Sequence, residues 1–102
     1  MKWFICQWEQ TSVNGLAGVA RDLAQRSHWL SATSEGTYVH ILCTARGPIK
    51  EYVWEVIYQD ANGRWQERED DEDSLEKAKG KVIRTLLESG YRAINKKCQV
   101  LE

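Results

Sequence analysis

The sequence predicts an α+β domain, an antiparallel sheet of three or more strands packed by two helices, in the order β-α-β-β-β-α with room for a final strand. Three observations carry this. A strand–Asn62-Gly63–strand segment signals a hairpin. Apolar residues recur at helical intervals in two stretches. The chain has 102 residues, one proline and no internal linker, so residues 1–102 read as a single domain.

In chain order, residues 2–8 are rich in aromatic and β-branched types and read as a strand. Asn14 can cap a helix whose apolar positions are Leu16, Val19, Ala20, Leu23 and Ala24, with Arg21, Asp22, Gln25 and Arg26 toward the other side. Residues 31–36 read as a loop by composition. Thr37 to Thr44 forms the next strand, Arg46-Gly47-Pro48 a turn, and Tyr52 to Tyr58 a further strand. Asn62-Gly63 supplies the positive φ angles of a tight turn, so residues 64–68 return alongside 52–59. Asp73 and Glu76 make a capping box for a second helix, whose apolar face is Leu75, Ala78, Val82, Ile83, Leu86 and Leu87. Gly90 stands where a C-terminal cap belongs. Residues 91–101 can add a short last strand.

This order, with its local motifs, resembles the double-stranded RNA-binding domain over roughly residues 16–89. Tyr38 opens a strand, Gly47-Pro48 is similar to the family's Gly-Pro turn, and Tyr52-Val53-Trp54-Glu55-Val56 to its aromatic second strand. Gly63-Arg64-Trp65 opens the third strand, and Ser74 with Ala78 resembles the start of the final helix. The resemblance implies that fold, with residues 2–8 and 91–102 as additions. It does not extend to RNA contact, which in the family rests on a loop histidine and a lysine cluster. Here Ile49 and Lys50 follow the Gly-Pro turn, and Leu75 and Glu76 take the first two lysine positions, leaving Lys79. The expectation is a related shape with its RNA surface missing or repurposed.

Composition excludes several classes. Fourteen basic against fifteen acidic residues give a net charge of -1, which argues against a broad basic nucleic-acid surface. No apolar run reaches the roughly 18–20 residues of a membrane span, and residues 2–8 are too short for a signal-peptide core, so a cytoplasmic protein without membrane contact is expected. Cys6, Cys43 and Cys98, odd in number and far apart, read as reduced and mostly buried thiols. His40 and Cys43 fall on opposite sides of a strand, no Cys-x-x-Cys occurs, and no metal or cofactor is expected. No nucleophile, base and orienting group can be brought together from spacing, so an enzyme is not expected.

The neutral total conceals a step. Residues 1–66 are net zero, residues 67–76 hold seven carboxylates and Arg68, and residues 77–102 hold seven basic groups with Glu88 and Glu102. The run Glu67, Glu69, Asp70, Asp71, Glu72 and Asp73 has two readings: a solvated loop that favours the helix dipole, or a patch that docks on a basic partner. Five tryptophans are too many for complete burial at this length, and Trp65, beside the hairpin tip, is the chosen binding aromatic. The favoured expectation is a non-enzymatic binding protein, monomeric or homodimeric, whose acidic residues and Trp65 occupy a basic groove of a host protein or ribonucleoprotein complex. In size and charge pattern it resembles the small anti-CRISPR inhibitors carried by phages and mobile elements. One alternative is a double-stranded nucleic-acid binder using Lys50, Lys77, Lys79, Lys81, Lys96 and Lys97. Another is a subunit that self-associates through a sheet edge or a Trp-rich face.

Overall fold

The computed structural model describes residues 2–12, 26–34, 36–46, 49–95 and 97. Their strands are β1 (Trp3–Ser12), β2 (Arg26–Thr33), β3 (Tyr38–Arg46), β4 (Ile49–Gln59), β5 (Trp65–Glu72) and β6 (Arg92–Ala93), and their helix is α1 (Leu75–Glu88). The strands form a single sheet in the order β5-β4-β3-β2-β1-β6, curled into a half-barrel. All neighbours are antiparallel except β6, which returns over α1 to lie parallel to β1.

This corrects the predicted fold. The described residues are mostly strand, with six strands and one helix among them, instead of a small sheet packed by two helices. The predicted element order therefore does not hold. The segment predicted as the first helix lies outside the described residues up to position 25, and its last residue, Arg26, opens β2 instead. Residues 31–33, predicted as loop, belong to β2, where buried His28 and Leu30 alternate with half-buried Trp29. A period of two in Ser- and Thr-rich chain is easily taken for loop, because only its alternate residues face the core.

The core lies between the helix-covered sheet face and α1. Phe4, Cys6, Leu30, Val39, Ile41, Trp54 and Val56 supply the sheet side, and Ala78, Val82, Ile83 and Leu86 the helix side. Of the predicted helix face, Leu75 is partly buried and Leu87 is exposed. The N-cap is Ser74, one residue beyond the predicted Asp73, and its Oγ accepts from the Lys77 N–H at 3.1 Å. At the other end Gly90, at φ +88°, closes a Schellman motif: Tyr91 N–H donates to Leu86 C=O and Gly90 N–H to Leu87 C=O.

Beyond that motif Tyr91 is a buried tie. Its hydroxyl meets Thr37 Oγ1 at 2.7 Å and accepts from the Gln59 N–H at 3.2 Å, while the Lys2 ammonium lies 5.2 Å from its ring centre. The helix exit, the start of β3 and the end of β4 are thereby joined at one side chain. The following β6 hydrogen-bonds to β1 through Arg92 N–H to Lys2 C=O and Ile94 N–H to Phe4 C=O.

The cysteines also depart from expectation. Cys6 is disulfide-bonded, whereas Cys43 is free and half-buried. No described helix is long and apolar enough to cross a membrane.

Candidate binding face of the β4–β5 hairpin

The acidic run is a strand, not a loop. Strands β4 and β5 pair from Gln59–Trp65 to Tyr52–Glu72, the hairpin predicted from Asn62-Gly63 but longer by four residues. Its turn is also different. Asp60 pairs with Arg64, so the loop has three residues, and Gly63 at φ +76° supplies its left-handed position. The Asp60 carboxylate accepts from the N–H groups of Asn62 and Arg64 and from the Gln66 amide. Those bonds, the one from Arg64 first, hold its carboxyl below the usual carboxylate range. Asp and Glu are poor strand formers, but Val53, Trp54, Val56 and Ile57 of β4 offer a template on which such a strand can pair.

Strand geometry divides the acidic residues into two sets. Arg68 and Asp70 stand opposite Val56 and Trp54, on the side of the sheet that α1 covers. Glu67, Glu69 and Asp71 stand opposite Ile57, Glu55 and Val53, on the outer face. The six carboxylates of residues 67–73 therefore do not make one patch. Asp73 lies past the strand and pairs with Lys77 at 3.0 Å, and Glu72 ends the strand on the helix side.

On the outer face, Glu55 joins the cluster. Carboxylate oxygens of Glu55, Glu67 and Glu69 lie within 4.8 Å of one another. Burial, a hydrogen bond with Glu67 and the charges of Glu67 and Glu69, in that order, push the Glu55 carboxyl above its usual range. Such a triad can accept a cationic side chain or, through its oxygens, a divalent ion. Glu55 is absent from the acidic run in sequence; the hairpin register, which sets it opposite Glu69, was the signal that could have found it.

The same face carries exposed aromatics. Trp65 is 54% exposed, the most accessible of the tryptophans, and Trp54 is the most buried at 4%. Tyr38, 47% exposed, begins β3 opposite Ile57, and its ring lies 5.9 Å from that of His40. Burial pushes the His40 imidazole below its usual value, which favours the neutral ring.

Between β5 and α1 opens a cavity of about 220 Å³. Trp54 forms one wall; Arg68 and Asp70 come from β5, and Lys81, Arg84, Thr85 and Glu88 from α1. The indole N–H of Trp54 is buried and finds no hydrogen-bond partner among the described residues. Arg68 and Glu88 span the mouth at 3.9 Å, both well exposed.

The lysines of the alternative reading lie in different settings. Lys77 is engaged by Asp73, Lys79 lies 5.5 Å from the Trp8 ring centre, and Lys81 borders the cavity. Lys50 is exposed near the start of β4, far along the sequence from Lys97, and Lys96 lies outside the described residues. No protein-family model, curated protein or solved structure matches this chain.

Proposed function

We propose that the protein is a non-enzymatic binding protein that docks the outer face of its β4–β5 hairpin on a basic surface of a nucleic-acid-handling complex and so inhibits it. One observation carries the reading: three carboxylates are held within 4.8 Å of one another on an exposed sheet face. Like charges at that separation repel, and a basic groove that receives them relieves the repulsion while supplying orientation and fast association. Trp65 and Tyr38, exposed beside them, provide the apolar area that holds the complex together. A phosphate-binding groove has the complementary charge, which is why the target class is one that normally holds DNA or RNA. That target places the protein in the cytoplasm.

Affinity capture from nuclease-treated lysate of the source cell tests this. The wild-type chain retains a basic partner after nuclease, and Glu67→Gln/Glu69→Gln/Asp71→Asn loses it while melting no lower than wild type. Equal retention by the variant contradicts the reading.

A further inference from the structure

The β5 strand is the end of the sheet, and its residues from Trp65 to Asp71 are all exposed. Hydrogen-bond parity fixes which of its backbone groups are free to pair. Asp60 N–H donates to Arg64 C=O at 2.9 Å, so 60/64 is a bonded pair. Antiparallel pairs alternate between bonded and non-bonded. The bonded ones are therefore those of Gln66, Arg68, Asp70 and Glu72, and the backbone groups of Trp65, Glu67, Glu69 and Asp71 turn outward. Two side-chain contacts agree with that parity. Gln59, opposite Trp65, sends its N–H to Tyr91 instead of to β5. The outward N–H of Asp71 is taken by the Asp70 carboxylate at 2.8 Å.

We infer that β5 accepts an extended basic segment of a partner protein as an added strand. The inference rests on the proposed docking reading and specifies how the partner's backbone sits. A second copy of β5 fits poorly, because carboxylates would face carboxylates across the new ladder. A strand with Lys or Arg at alternate positions meets Glu67, Glu69 and Asp71 on the outer face instead. Its other residues fall on the side of Arg68 and Asp70, above the cavity where Trp54 has an N–H without an acceptor. Those positions adjoin the charged Arg68 and Asp70 side chains, which hydroxyl or amide groups can hydrogen-bond. The occupant is thus a strand alternating basic residues with Ser, Thr, Asn or Gln, recognised through backbone pairing as well as charge.

The probe is a blocked eight-residue peptide alternating lysine and threonine, with the same peptide N-methylated at every residue as its control. The control keeps all charges and loses all backbone donors. With the full-length protein, the parent peptide slows amide hydrogen exchange at Glu67 and Glu69 at least fivefold and binds at least tenfold tighter than the control. Glu69→Pro, which removes an outward N–H and no bond to β4, weakens parent binding at least threefold more than Glu69→Gln. Equal binding of the two peptides without protection of those amides overturns strand addition and leaves charge-based docking standing. Failure of the parent peptide to bind also overturns it. Loss of the natural partner on carboxylate neutralisation reports separately on the docking reading.

Discussion

Glu55 shows how a register turns separate residues into one electrostatic unit. Its raised carboxyl gives a definite sign. The folded state holds a proton that the unfolded chain releases, so stability is full below the ordinary Glu range and falls as pH rises through the raised value. Glu67→Gln/Glu69→Gln removes the hydrogen bond and both charges. The variant should melt about 2–4 °C higher than wild type at pH 7, the scale of a relieved cross-strand repulsion of about 0.5 kcal/mol. That gap should close on acidification, as Glu55 takes up the proton that its raised pKa favours. A pH series of thermal melts checks this, and a constant offset across the series excludes the carboxylate origin. Asp60 acts with the opposite sign, its contribution being present at neutral pH and lost as pH falls through its lowered value. Tyr91 is the corresponding residue for packing. Tyr91→Phe keeps the ring and strips partners from Thr37 and from the Gln59 N–H, at a cost of about 1–3 kcal/mol by urea denaturation. An unchanged midpoint means the hydroxyl ties nothing. The role of Tyr91 is not visible in sequence, since its partners lie 54 and 32 residues away.

At the scale of elements, legibility followed local chemistry. The helix reads directly from Ala78, Val82, Ile83 and Leu86, and its end from Gly90, because both signals sit within a few residues. The cap slipped by one, since Asp73 and Ser74 are both good N-caps and only the backbone decides between them. Gly90→Ala should destabilise by about 1–2 kcal/mol through its left-handed φ alone, because a Cβ there meets nothing within 4 Å. Denaturant titration yielding a wild-type midpoint would sink the Schellman assignment. The β4–β5 hairpin was legible as a hairpin but not to its full length. Residues 69–72 are acidic, and their strand state comes from pairing with β4 rather than from their own preference. β2 was hidden for a related reason, its polar Ser and Thr masking the alternation of His28, Trp29 and Leu30.

For the whole molecule, two features set by long-range contacts stand out. The parallel β6 and the Cys6 bridge both fasten β1, the far side of the sheet from the acidic edge. Cysteine count and spacing alone favoured free thiols. A reducing setting opens such a bridge, so the proposed binding face works there only if it survives that loss. Cys6→Ser should lower stability by about 2–4 kcal/mol, and excess reductant should reproduce the loss in wild type but not in the variant. Equal melting with and without reductant would remove the bridge as a stabiliser. The acidic face lies on other strands, and partner binding should persist in the reduced protein. The division of the acidic run between two sheet faces is the claim on which the functional account turns. Two variants of equal charge change separate it from a mere dependence on net charge: Glu67→Gln/Glu69→Gln on the outer face and Asp70→Asn/Glu72→Gln on the helix side. Quantified partner capture after nuclease should fall at least tenfold for the first and less than threefold for the second. Equal losses, or a loss confined to the helix-side variant, would contradict the account.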